Sequence, residues 1–152
     1  MKLRIITLAL ITLAVTGSFA FSQSATTVKG WNADTIVWQS TEEDGTKHAI
    51  LEGDRHAAGK PFTYAMLVPA GAWDNHTHSH NHDARLFVVS GALLLAVGPN
   101  PDKKIAKSYP AGSYVFVPAN LEHTMGADEK TLIIGTAEGG FETHDNASPH
   151  RH

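Results

Sequence analysis

The segment Leu86-Phe87-Val88-Val89-Ser90-Gly91-Ala92-Leu93-Leu94-Leu95-Ala96-Val97 runs straight into Gly98-Pro99-Asn100-Pro101-Asp102. Its two apolar runs, Leu86–Val89 and Ala92–Val97, are each too short for a stable helix and are rich in Leu and Val. Ser90-Gly91 divides them and the Gly, Pro, Asn and Asp cluster ends the second, which is how successive β-strands are punctuated. Working outward, the rhythm repeats at about ten-residue intervals in Thr35–Trp38, Lys47–Leu51, Phe62–Val68, Ser113–Val117 and Thr131–Thr136. Turn residues separate these runs at Asp44-Gly45, Gly53-Asp54, Pro69-Ala70-Gly71 and Pro110-Ala111-Gly112. No stretch carries a long 3.6-residue apolar period with caps, so little helix is expected. Seven or more short antiparallel strands in one domain must close into a barrel or stack as a sandwich, because a single flat sheet cannot bury its faces or hide its edges. The expected class is all-β.

The chain has 152 residues, enough for one domain of ordinary size. Its Lys and Arg number 12 against 15 Asp and Glu, a formal charge of −3, so no basic excess is present to meet nucleic-acid phosphates. Hydrophobic residues at 42% and charged residues at 18% are globular values and argue against disorder. Cysteine is absent, which removes disulfides and thiolate ligands, whereas histidine occurs 10 times. The N-terminus reads Met1-Lys2-Leu3-Arg4, then an apolar run from Ile5 to Gly17, then Ser18-Phe19-Ala20. A basic start, a short apolar stretch and a small-x-small site are the layout of a secretory signal, expected to be cut after Ala20. The expected organisation is a signal peptide at 1–20, an N-terminal segment at 21–33, a barrel at 34–141 and a polar, histidine-containing tail at 142–152. The expected location is periplasmic or secreted, free of the membrane once the signal is removed.

Residues 75–83 read Asn75-His76-Thr77-His78-Ser79-His80-Asn81-His82-Asp83. Strand side chains alternate, so His76, His78, His80 and His82 would share one face. His123, just after the turn Pro118-Ala119-Asn120, is the candidate partner from a second strand. Imidazoles from one strand and its neighbour half-encircle a divalent transition-metal ion such as Fe, Mn, Co, Ni, Cu or Zn and leave its other positions open, as a reactive site requires. The expected metal-binding set is His78, His80, His82 and His123. A solvated loop is the competing reading, because turn chemistry follows at once in Asn81–Asp83. His48 and His56 lack partner spacing and read as surface or structural, while His144, His150 and His152 fall in the tail.

These residues resemble a known family. The stretch from Gly71 to Gly91, with His78-Ser79-His80 inside it, and the stretch from Gly112 through Pro118-Ala119-Asn120 to His123 resemble the two motifs of the cupin superfamily. The likeness extends over about residues 34–141 and is nearest to small single-domain bacterial cupins. It implies a jelly-roll barrel, a double-stranded β-helix of antiparallel strands, with metal held by the motif histidines. The second motif departs only at Asn120, which replaces a Gly, and Asn is the residue that best tolerates the left-handed turn conformation. In the first motif, counting back seven from Gly91 places Ala84 where the family carries a Glu ligand. A rival register pairs His76 with His78 and puts His82 in the Glu slot, with two extra residues before Gly91 absorbed as a bulge. Asp83 is a further oxygen candidate, though strand parity points it away.

Three neutral imidazoles leave a divalent ion at about +2, against about +1 when a Glu joins them, and this favours an anionic, chelating ligand. The resemblance then implies kinship in chemistry with three-histidine iron cupins: an exported metal-dependent oxidoreductase of dioxygenase type on a small anionic organic molecule. A second reading is a non-catalytic cupin that buffers or senses transition metals, and a third is a degenerate cupin retaining only the fold. Tyr64, Met66, Leu86, Val88, Phe116 and Met125 are expected to line the barrel, with Trp73 at the pocket mouth. The resemblance implies a homodimer. Metal binding is expected to weaken as pH falls through about 6, where imidazole protonates.

Overall fold

The structure, a computed structural model, describes residues 27–100 and 102–146. The signal peptide expected at 1–20, and the tail residues His150 and His152, lie outside the described residues. The chain divides at Gly30, and residues 27–30 take no regular secondary structure. The unit beginning at Trp31 builds the fold.

Its strands are β1 (Ser40–Thr41), β2 (Lys47–Glu52), β3 (Pro61–Val68), β4 (Thr77–His80), β5 (Ala84–Ser90) and β6 (Ala92–Val97). They continue as β7 (Lys107–Pro110), β8 (Tyr114–Val117), β9 (His123–Gly126), β10 (Thr131–Glu138) and β11 (Thr143–Asn146), with one 3-10 turn at Lys103–Ile105. All pairings are antiparallel. They make a six-stranded sheet ordered β1-β2-β3-β10-β5-β8 and a five-stranded sheet ordered β11-β4-β9-β6-β7, which is the all-β class that the strand rhythm predicts and the antiparallel jelly roll that the resemblance implies.

β5 and β6 follow each other with only Gly91 between them, yet they belong to different sheets. Gly91 turns the corner at φ +73°, and a Cβ there would collide with Thr131 and the Lys130 carbonyl. The core lies between the sheets, where Phe62, Met66 and Val68 of β3 meet Leu86 and Val88 of β5, Leu93 and Leu95 of β6 and Ile133 of β10. A second cluster forms on the other face of the large sheet, where Ile36 and Trp38 cover Ala49, Ala65 and Leu132. The run Thr35–Trp38, expected as a strand, is therefore an unpaired cover whose apolar residues serve that outer face.

Two other expectations are corrected. Phe116, expected to line the barrel, points outward and is 47% exposed, because in β8 it is Val115 and Val117 that take the inward parity. The polar tail expected at 142–152 contains, in its described part, β11, which pairs with β4 through Thr143↔His80 and Asp145↔His78. One face of β11 meets a polar cavity, so no apolar alternation marks it as a strand.

Candidate metal centre

β4 is only four residues long, but its alternation sorts the histidine row. Thr77 and Ser79 are buried on one face, and His78 and His80 occupy the other. His78 stands directly opposite His123 in the β4–β9 register. The three rings lie 4.5 Å (78 to 123), 5.1 Å (78 to 80) and 5.4 Å (80 to 123) apart between centroids. One nitrogen from each falls within 4.8 Å of the other two.

The outer edge of each ring is occupied. His123 Nδ1 lies 2.8 Å from the Leu121 carbonyl, which can only accept, so Nδ1 carries the hydrogen and Nε2 keeps its lone pair. His78 Nδ1 is 3.4 Å from Asp74 Oδ2, and His80 Nδ1 is 3.3 Å from Thr143 Oγ1, with a further hydrogen bond from its ring to the Glu142 main chain. Holding Nδ1 from outside leaves Nε2 to face an ion, the arrangement of metal-binding imidazoles. Burial, reinforced by His78 and His123, holds His80 down to about 3, and burial with His78 alongside holds His123 down to about 4. Both rings are therefore uncharged at neutral pH, which is the ligating form. The donor set fits a divalent transition metal.

His82, expected in this set, is not brought to it. β4 ends at His80 and residues 81–83 bend away, so the two-residue alternation stops one step short of His82. Asn81 fixes that bend: its side chain donates to the Gly140 carbonyl (2.8 Å) and accepts from the Glu142 N–H (2.8 Å). His76 lies exposed in the loop ahead of β4. Asp83 is engaged elsewhere, accepting the Ala119 N–H at 2.9 Å and lying 3.6 Å from Arg85. Ala84, in the position of the family's Glu, is buried at the start of β5 and lines the same cavity as the triad. Asn120 takes φ +61°, and its N–H donates to the His80 carbonyl at 2.6 Å, tying the second motif's turn to the first motif's ligand strand.

The triad lines a cavity of about 820 Å³. Met66, Leu86, Trp73 and Met125 line it as well, and an aromatic run leads through it: Tyr64 to Phe62 (5.5 Å), Phe62 to Phe141 (5.7 Å) and Phe141 to His80 (4.5 Å). Gly135 makes room for the Tyr64 ring, which a Cβ at that position would strike. Burial pushes the Tyr64 phenol up to about 12, so it is neutral. Glu42, Glu43, Asp44, Asp74 and Asp145 also line the cavity, and Arg55 is the one Lys or Arg among the described lining residues. Tyr64 lines the cavity as expected, whereas Asp74, Thr143 and Arg55 were not singled out by sequence as part of the site. Only the Asp74–His78 spacing of four carried a local signal.

No protein-family model matches the sequence, and neither does any curated protein. Solved structures do match. The polyketide cyclase RemF from Streptomyces resistomycificus superposes with a TM-score of 0.64 at 15% identity, covering 82% of this chain and 89% of that one. A cupin-like protein from Thermotoga maritima gives 0.59 at 21% identity, over 76% of this chain and 90% of that one. The salicylate 1,2-dioxygenase of Pseudoaminobacter salicylatoxidans, solved with gentisate, gives 0.58 at 12% identity, over 72% of this chain but 32% of that one. The chain has the cupin fold, and His78, His80 and His123 together could hold a metal ion.

Proposed function

We propose that this chain is an exported metal-dependent cupin enzyme, an oxidoreductase of dioxygenase type acting on a small anionic organic molecule. The observation that carries the reading is the triad itself: three imidazoles braced from outside converge on one point, and Ala84 leaves the rest of that point open to the cavity. A divalent ion of Fe, Mn, Ni, Cu or Zn held there supplies Lewis-acid activation and a template for a chelating ligand. The chain's own residues do the rest. The aromatic run flanks the ligand, and the neutral Tyr64 phenol offers a hydrogen-bond donor. The solved dioxygenase with gentisate in a related fold supports a small-molecule ligand, without transferring its substrate.

The competing reading, a metal buffer, expects several ions on the histidine row. Among the described residues a single group of three converges, which favours one ion. Export rests on residues 1–20 and a homodimer on the exposed aromatics of β5 and β8. The test is elemental analysis of the mature protein beside His78→Ala and His123→Ala. One equivalent of one metal, lost in both variants, is expected, followed by oxygen uptake on a panel of anionic chelators. Several equivalents surviving both substitutions would establish the buffer instead.

A further inference from the structure

Each ligand is braced from outside, but from different sources. His78 takes its brace from Asp74, four residues away, and His123 from Leu121, two residues away. His80 alone takes its brace from a distant segment, residues 141–143: the Phe141 ring 4.5 Å away, the Glu142 main chain and the Thr143 hydroxyl. That segment is held in turn by Arg55, in the turn between β2 and β3. Arg55 Nε–H donates to the Phe141 carbonyl (3.0 Å), and its Nη2 donates to Thr143 Oγ1 (3.0 Å). Its guanidinium carbon lies 5.3 Å from the Phe141 ring centroid, and its carbonyl accepts the N–H groups of Gly140 (2.7 Å) and Phe141 (3.2 Å). The close approach needs Gly139, where a Cβ would strike the Ala57 carbonyl.

The geometry points to Arg55 as the positioning residue for the His80 ligand, acting through Thr143 and Phe141 rather than on the ligand or substrate directly. The inference rests on the metal reading of the triad. A planar guanidinium can grip a carbonyl and a hydroxyl two residues apart at once, and an ammonium cannot. The β4–β11 pairing and the Asn81 bonds still hold the main chain, so loss of that grip releases the Thr143 hydroxyl and the Phe141 ring, and the His80 ring loses its fixed angle while His78 and His123 keep theirs. Outer partners of this kind typically set roughly 10–100-fold of metal affinity.

The test uses cobalt(II) as the probe on the mature chain, read by competition with a chromophoric chelator and by the visible ligand-field spectrum. Arg55→Met is expected to weaken cobalt binding within that roughly 10–100-fold range and to shift the spectrum toward fewer nitrogen ligands. Arg55→Lys should stay weakened despite its charge. Thr143→Val should show the same spectral change in smaller measure. Adding Arg55→Met to His80→Ala should cost little more, whereas Asp74→Asn should add to His80→Ala in full. Wild-type affinity and spectrum in folded Arg55→Met overturn the inference. Should that variant not fold, Thr143→Val decides, because it keeps every main-chain bond of the segment. A wild type that binds no cobalt overturns the functional reading and this inference together, while one that binds equally with or without Arg55 overturns the inference alone.

Discussion

His78 and His123 face each other across the one registered pair that joins β4 to β9, their ring centroids 4.5 Å apart. Two sheet neighbours so close would repel if charged, and burial already disfavours the charged form of His123. A divalent ion held by the two rings together with His80 would turn this crowding into coordination. His123→Ala should therefore abolish stoichiometric metal binding, a larger loss than the roughly 10–100-fold of an outer-partner change. His82→Ala should leave it intact, because His82 stands outside the group. Equilibrium dialysis with zinc on both variants checks this.

Ala84→Glu places a carboxylate where the family carries one. Zinc affinity is expected to rise and azide binding to the cobalt-loaded protein to fall, since the added charge both neutralises the ion and takes its open position. The metal-free variant should melt below the wild type, because Ala84 is 3% exposed and an unpaired carboxylate there is costly. Calorimetry with and without zinc checks it: the metal-induced rise in Tm should exceed that of the wild type.

The depressed imidazoles give the metal-free protein a definite acid response. Folded His80 sits at about 3 and folded His123 at about 4, whereas the unfolded chain takes up these protons near 6.5. Their contribution is fully present above about 6.5, declines as pH falls, and stops changing below the folded values. Thermal unfolding of the metal-free protein from pH 8 to pH 4 should show Tm falling below about 6.5, less steeply in His123→Gln. Folded rings that resist protons also hold metal longer, so metal loss in the folded protein should begin below the value of about 6 that ordinary imidazoles set.

Five carboxylates line the cavity against Arg55, and the His48 contact keeps Glu42 below its ordinary range. An approaching anion meets this negative field before it reaches the metal. Screening shortens the field from about 30 Å at 0.01 M salt to about 8 Å at 0.15 M. Azide affinity of the cobalt-loaded protein should therefore rise with a non-coordinating salt. Optical titration at the two ionic strengths reads the direction.

Phe87 and Tyr114 lie 5.1 Å apart on the outer face of β5 and β8, beside Phe116, and β8 ends the six-stranded sheet. Self-association of the protein through this face is expected to yield to Phe116→Glu, giving a monomer in sedimentation with unchanged metal content. A wild type that is monomeric at high concentration removes the dimer from the functional reading.

What could be read from the sequence alone follows from local covalent geometry. Alternation puts His78 and His80 on one face wherever the segment is extended, Gly91 and Asn120 mark backbone that other residues rarely adopt, and the resemblance, counted back from Gly91, implies Ala84 in the place of a Glu. The apolar runs reveal the strands that bury a face. Tertiary structure decided the rest. It ended β4 before His82, made Thr35–Trp38 a cover instead of a strand, turned Phe116 outward and added β11 beside β4. It also brought Arg55 to Thr143, 88 residues along the chain. Register between distant segments depends on how both sheets close around one core, and polar strands facing a cavity carry no hydrophobic pattern from which that register can be inferred.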